Sequence, residues 1–386
     1  MQGDWAITHL DTLGIAAERS EGPSASWPVA PTFASAGNRL RLPLRAIGCW
    51  RAAHAHFAFD ASFIDPGMRN DLRHLGLQRR RLAVVGLDGQ PVYPPASLYA
   101  HADPSGDDAY NKRLAARRAQ ALHALLTRDV ARWEQLYSTP LGHDDWRVRA
   151  VQTILNHLCA ASLLVDGVDG EQTRAAVSRY QQASGLAADG VAGPGTRAGL
   201  FAAYMEALCG PGLHLHLHRQ RDFLARGADA QGKGDLHACG EFNPLILPSA
   251  QDQARFERED ARQARNAFNA PNRRVLVLLF APGARIDPAL WPCPAAEDGD
   301  AGCRRRFWSD AATRRQLRLP DAGRRYARGQ DTFACRFYER LVDGAACEKP
   351  VLAGTTRWED APLSVEPALD TGQGAWPDEP GGEDLP

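Results

Sequence analysis

Three histidines, His214, His216 and His218, alternate with leucines. On a strand they would face one side, a geometry that can gather a metal ion. No Asp or Glu stands at ligand spacing beside them, so they read as a surface or packed strand, with no metal and no cofactor implied. The sequence holds no H-E-x-x-H, G-x-S-x-G or C-x-x-C, so the signatures of zinc proteases, α/β-hydrolases and zinc-ribbon or thioredoxin-like sites are missing. Four of the eight cysteines, Cys293, Cys303, Cys335 and Cys347, crowd the last quarter of the chain. They read as disulfide partners in an oxidising final compartment, and their spacing assigns no pairing. Cys49, Cys159, Cys209 and Cys239 are scattered and read as small buried hydrophobes.

The elements that must hold such residues can be read from composition and periodicity. The 386 residues are 44% hydrophobic and 24% charged, with a net charge of −1. This is a globular composition of two or three domains, without a charge bias toward nucleic acid or membrane. No run approaches the ~20 apolar residues of a membrane span. Met1 to Ala17 lacks the basic start and apolar run of a secretory signal. Residues 1–38 read as an irregular arm. Strands are expected within 41–63, at 97–102 and at 272–280, and loop and strand over 232–244. Helices are expected at 66–76, 108–127 and 252–268, with helical periodicity from 146 to 206. Asp107 and Asp108 suit the start of the 108–127 helix. On that helix Asn111, Leu114, Arg118 and Leu122 share one face, which can pack beneath a sheet and present Arg118 at its rim. Residues 304–328 hold nine arginines among Phe307, Trp308 and Tyr326. With Trp291, Phe333, Phe337 and Tyr338 nearby, this region reads as a disulfide-stapled extension packed on the sheet. The tail from about Glu359 is acidic and reads as disordered.

One short repeat stands out. Asp166, Gly167, Gly170 and Thr173 are echoed by Asp189, Gly190, Gly193 and Thr196, each copy a D-G-x-x-G-x-x-T turn. The glycines allow positive φ, and each threonine can cap the helix that follows. With Val151-Gln152, Leu155, Ala176-Val177, Tyr180-Gln181, Gly185-Leu186 and Leu200, the segment resembles the small three-helix peptidoglycan-binding domain found on wall amidases and lytic enzymes. The resemblance implies a module that binds glycan or stem peptide and does not cut it.

A second resemblance covers the flanks. Asn111 to Leu122 resembles the N-x-x-L-S-x-x-R-A-x-x-V signature of OmpA-like peptidoglycan-associated domains. His56 to Pro66, Ala100 to Gly106, Gly232 to Pro244 and Asn272 to Val275 resemble that family's first strand and loop, G-H-T-D-x-x-G turn, G-x-G-E-x-N-P strand and N-R-R-V strand. Cys239 and His237 fall inside this match and read as structural. The family binds meso-diaminopimelate of the stem peptide, a zwitterion. By resemblance Asp103 holds its ammonium and Arg118 a carboxylate, with Asn111 fixing the loop before the helix. The donors at the helix N-terminus near Asp108 add a place for an anion.

The expected fold is α+β. A mixed OmpA-like sheet with helices on one face is interrupted by an all-α three-helix module and followed by a cysteine-containing extension. The expected divisions are an arm at 1–39, an OmpA-like first part at 40–135, and an insertion at 136–230 that contains the module at 146–206. A second part at 231–281, the extension at 282–357 and the tail at 358–386 follow. The expected function is noncatalytic attachment to peptidoglycan in the periplasm or cell envelope, with no nucleic-acid partner. Two alternatives stand beside it. One is a wall hydrolase or toxin with catalysis in the C-terminal region. The other is an adaptor or cargo of a contractile injection apparatus, partnered by secretion proteins; the lack of a signal motivates it.

Overall fold

The computed structural model describes residues 44–298, apart from 53–56, 58, 104–106, 211, 214, 247–249 and 257, together with Cys303, residues 335–342 and Cys347. Toward the N-terminus it describes four strands by their backbone. His214, Trp308, Phe333, the arginine-rich stretch and the acidic tail lie outside the described residues.

Those first strands correct the expected irregular arm. β1 (Trp5–Asp11), β2 (Gly14–Arg19), β3 (Val29–Pro31) and β4 (Asn38–Leu42) form an antiparallel sheet in the order β1-β2-β4-β3. Asp11 pairs with Gly14 where β1 and β2 meet. Backbone pairing of this kind needs no apolar alternation, which is the signal the sequence lacks here.

The main sheet contains β5 (Gly48–Ala52), β8 (Ala96–His101), β9 (Leu236–Gly240) and β10 (Arg274–Leu279) in the order β5-β10-β8-β9, while β6 (Val84–Val85) and β7 (Pro91–Val92) make a separate small hairpin. β10 runs antiparallel to both neighbours, and β8 pairs in parallel with β9. β10 is apolar on both faces because both are covered. Val275, Val277 and Leu279 join one core with Leu98, Trp50 and the helices. Leu276, Leu278 and Phe280 join a second core with Tyr99, Trp291, Phe337 and Tyr338. The extension therefore lies on the sheet face opposite the helices, and its short helix α10 (Arg336–Val342) is part of that layer.

On the helical side lie α1 (Met68–Arg81) and α2 (Asp108–Thr127). The start of α2 is set by Asp107, whose carboxylate accepts the Tyr110 N–H at 3.0 Å. It ends where Arg128 takes a left-handed φ of 59°. α3 (Val130–Ser138) follows at once, capped by Asp129; no helix was expected there. Three module helices come next: α4 (Arg147–Cys159), α5 (Glu171–Ala183) and α6 (Pro194–Cys209). α6 packs on α1, α2 and α3 as well as α4, and a single apolar core runs from the sheet into the module. Between α6 and the one-turn α7 (Arg219–Asp222), the His/Leu alternation orients side chains as the period predicts, with Leu215 and Leu217 buried and His216 and His218 exposed. It forms no strand, however, because its Leu217 N–H bonds the helix carbonyl of Leu126 at 2.9 Å instead of a ladder partner. The polar stretch before β10 forms α8 (Ala250–Phe256) and α9 (Arg262–Phe268).

Candidate functional site

The two D-G-x-x-G-x-x-T turns are built alike, each around one buried glutamine. In the first, the Gln152 amide donates to Asp166 Oδ1 (2.8 Å), the Val168 carbonyl (3.1 Å) and Thr173 Oγ1 (3.1 Å), and its oxygen accepts the Gly167 N–H (2.9 Å). In the second, Gln181 donates to Asp189 Oδ1 (2.8 Å), the Val191 carbonyl (3.0 Å) and Thr196 Oγ1 (3.0 Å), and accepts the Gly190 N–H (2.9 Å). Gly167 and Gly190 take the positive φ expected of them, 82° and 74°. A side chain at Gly190 would also meet the Arg174 carbonyl at 3.1 Å. The threonines do not cap their helices. Gly170 and Gly193 occupy the cap positions, and Thr173 and Thr196 face inward to the glutamines. The N–H of Val168 and the Gln152 amide hold the Asp166 carboxyl below its usual range, and Val191 and Gln181 do the same for Asp189. The polar turn residues are thus engaged within the protein. Val168 and Val191, at equivalent places, stand exposed at 59% and 61%.

The second candidate site lies where β8 ends. Arg118 is fully buried on α2, and its Nε donates to the Ala61 carbonyl (2.9 Å) and its Nη1 to the His101 carbonyl (3.1 Å). Its guanidinium lies over the Phe57 ring, 5.6 Å from the centroid. Burial pushes it down to about 10, against the opposing pull of the Asp103 carboxylate; it stays charged at neutral pH. Asp103 bonds Arg273 Nη1 at 2.9 Å, with both residues 6% exposed. Arg273 also donates to the Asn266 carbonyl at 3.1 Å and lies over Phe59, 5.7 Å from its centroid. Asn111 donates to Glu241 Oε2 at 2.8 Å, joining α2 to the loop after β9. Tyr110 donates to Asp60 Oδ1 at 2.5 Å; burial, and then this bond, raises the phenol above its usual range. Asp103, Asn111 and Arg118 therefore share one region, and Arg273 and Asp60 join them there. Arg273 sits inside a segment the sequence marks as a strand. What the sequence leaves hidden is its reach to Asp103, 170 positions away.

The loop at Asp60–Ile64, which forms one wall of this region, is held from its other side by the module. The Ser62 N–H and hydroxyl donate to Asp144 at 2.7 and 2.6 Å, and Trp146 Nε1 donates to the Ser62 hydroxyl at 3.0 Å. Arg117, next to Arg118 on α2, pairs with the same Asp144 carboxylate. Tyr204 on α6 donates to the Ile64 carbonyl at 3.0 Å. Phe63 meets Trp146, Trp133 and Tyr204 with ring centroids 5.2 to 5.9 Å apart.

The expected set of late cysteines is joined differently. Cys347 bonds Cys49 on β5, with Cα atoms 6.0 Å apart, while Cys293, Cys303 and Cys335 are in no disulfide. His216 and His218 stack at 5.2 Å. Among the described residues no group of three or more His, Cys, Asp or Glu is placed to hold a metal ion. No helix among them is long and apolar enough to cross a membrane.

Residues 146–200 match the family described as "Putative peptidoglycan binding domain". The match covers α4, α5 and the first part of α6 with both turns. The chain matches no curated protein and no solved structure.

Proposed function

We propose that this protein attaches noncovalently to peptidoglycan through two sites and does not cut it. The observation that carries the reading is the family match over residues 146–200, on a helical module whose two turns are closed by the same set of glutamine hydrogen bonds. The module supplies one site. The exposed Val168 and Val191, presented by two rigid turns, offer apolar contact for the carbon faces of a sugar or peptide.

The second site is the region around Asp103, Arg118 and Arg273, read as an OmpA-like pocket for the diaminopimelate end of a stem peptide. A sheet in the order β5-β10-β8-β9, with the Ala100, Gly232 and Asn272 segments at β8, β9 and β10 and the Asn111 to Leu122 signature on α2, supports this; the segment expected as the first strand is instead turn and loop from Phe59 to Pro66, after β5. The ligand is a zwitterion, and the protein holds a zwitterion-like pair there. Asp103 would take the ammonium and Arg273 a carboxylate, each exchanging its present partner for a ligand group. Arg118 fixes the Ala61 and His101 carbonyls on either side, and Asn111 holds the loop after β9. The setting is the cell envelope.

A pull-down on purified diaminopimelate-type wall tests this, with the supernatant assayed for released muropeptides. Wild type should sediment, release nothing, and bind free stem peptide; Asp103→Ala should lose about tenfold or more in peptide affinity, the scale of one charge-assisted contact. Full peptide affinity in that variant removes the second site. A wild type that stays in the supernatant removes the attachment, and fragments in solution make the protein a hydrolase.

A further inference from the structure

Between α1 and β8 the chain turns out into the small hairpin of β6 and β7, whose apolar side chains stand in solvent. Leu87 at its turn is 88% exposed, Val85 79% and Val84 51%. Val84 pairs with Val92, and Val85 with Pro91. Successive residues of a strand point to opposite faces, so the first pair lies on one face of the ribbon and the second on the other. Pro91 and Val92 are exposed as well. The turn is closed by its own backbone. The Gly86 N–H donates to the Gln90 carbonyl at 2.8 Å, and the Gly89 N–H to the Gly86 carbonyl at 3.0 Å. The Asp88 carboxylate folds back to accept the Gln90 N–H at 3.0 Å. The base of the hairpin is basic. From 73 to 93 the chain carries four arginines, Arg73, Arg79, Arg80 and Arg81, against one acid, Asp88. Arg73, Arg80 and Arg81 are exposed on α1, and the exposed Leu77 lies between them at helical spacing. Arg79 ties the base together. Its guanidinium lies over the Tyr93 ring, just after β7, 5.2 Å from the centroid, and donates to Asp222 at 3.1 Å. The same carboxylate pairs with the exposed Arg221 at 3.2 Å, which brings a further arginine to this base.

We propose that this hairpin, with the arginines at its base, seats the protein on the surface of an anionic lipid bilayer. A ribbon that is apolar on both faces is not covered by one flat protein surface; it is covered by a medium that closes around it. The arginines make that medium an anionic one, since they meet headgroup phosphates as the apolar tip enters between them. The depth is set by the hairpin itself. Its two strands leave backbone N–H and C=O groups on open edges, which the hydrocarbon core does not accept. Asp88 at the turn has the same effect. The tip therefore stops in the headgroup layer, as a surface contact and not a span. This contact is separate from the two wall sites, and it would hold a wall-attached chain against a neighbouring membrane.

The test is sedimentation of the full-length protein with wall-free vesicles, either phosphatidylcholine alone or phosphatidylcholine mixed with phosphatidylglycerol. Wild type should sediment with the mixed vesicles, stay largely in solution with the neutral ones, and be released by high salt, which screens the arginines. Leu87→Asp should lose at least about tenfold in partitioning, because it puts a charge where the apolar tip enters. Arg73→Gln and Arg81→Gln should each lose about fivefold, the scale for one basic residue at an anionic surface, and together about 25-fold. No sedimentation with the mixed vesicles, equal sedimentation with the neutral ones, or full binding by a folded Leu87→Asp variant would each overturn the proposal. So would a wild-type dimer, in solution without vesicles, that Leu87→Asp turns into a monomer; the hairpin would then be a contact between copies of the chain. Leu87 is exposed, so the variant should keep the wild-type thermal transition. Should it lose that transition, the two vesicle compositions and the arginine variants still decide.

Discussion

At the residue scale, the two buried glutamines hold more of the module than any residue of the repeat itself. Gln152 and Gln181 are 1% and 2% exposed, and each gathers one turn's carbonyl, carboxylate, hydroxyl and glycine N–H. Replacing Gln152 by Leu should cost roughly 2–4 kcal/mol, because several buried partners lose their hydrogen bonds at once; urea unfolding of the full chain measures it. The repeat letters were legible in the sequence, and so was the positive φ of Gly167 and Gly190. The threonine role was not, because its partner lies 21 positions away in the first copy. A second residue-scale effect concerns His237. Its Nδ1–H donates to the Leu98 carbonyl at 3.0 Å, and its Nε2 accepts the Trp291 N–H at 2.6 Å. The ring is buried and satisfied as the neutral tautomer, and burial drives it down to about 3; His123, buried against Phe223, is likewise pushed down to about 3. For a base with a lowered folded pKa, the unfolded chain takes up the proton first. Stability is therefore full above the ordinary histidine range and is lost as pH falls from about 6.5 toward 3. Asp235 acts the other way: burial raises it to about 7, so it favours the folded state at the acid end and loses that contribution as pH rises toward neutrality. Burial lowers His101 in the same way, so denaturant titrations across this range should show the histidines prevailing, three groups against one, with a shallower acid loss in His237→Gln.

At the element scale, the loop at Asp60–Ile64 is the part on which the proposed stem-peptide site depends. It has no ladder to hold it, and Asp60 sits at a φ of 54°. It is fixed instead by Arg118 on one side and by Asp144, Trp146 and Tyr204 on the other. Asp144→Ala strips a fully buried carboxylate from Arg117 and Ser62 and should cost about 3–5 kcal/mol, the scale for breaking a buried pair. Thermal unfolding gives the size, and faster amide exchange at Ser62 gives the place. The limits of α2 were read correctly from 108 to 127 because Asp107 supplies a local stop for an orphan N–H. α3 was missed, though Asp129 caps it in the same way, because no break in helical pattern separates it from α2. The strand expected at the alternating histidines was half right: alternation reports which side of the chain is buried, and a strand also needs a neighbour.

At the scale of the whole molecule, the module is less separable than an insertion at 136–230 implies. Arg197 on α6 pairs with Glu134 on α3, Arg128 pairs with Glu206 at 3.2 Å, and Tyr204 reaches the site loop. Phe201, Tyr204, Trp133 and Trp146 share one core with the sheet. Excising 146–209 should therefore yield a chain that fails to fold cooperatively, visible as loss of a thermal transition and of soluble yield. A looser, tethered module would leave the rest of the chain intact. The sequence showed the module's boundaries and left this docking unread. α6 is apolar around more than one side, which fits a helix buried by two partners, but periodicity does not say which they are.

The place of β10 between β5 and β8 sets the order of events when the chain is made. Ser97 on β8 bonds the Gly234 carbonyl just before β9, 137 positions further on, and Cys49 is 298 positions from Cys347. During synthesis β5 and β8 emerge early, with no partner between them until β10 is released. The sheet is thus assembled by its last strand, which must be placed between two that have been waiting. Such high contact order makes folding slow and leaves strand edges exposed on the nascent chain. A chain arrested before residue 274 should remain sensitive to protease across β5 and β8, and one released beyond residue 279 should lose that sensitivity. The Cys49–Cys347 bond then serves as a timestamp, because it can close only once everything between its ends has been made.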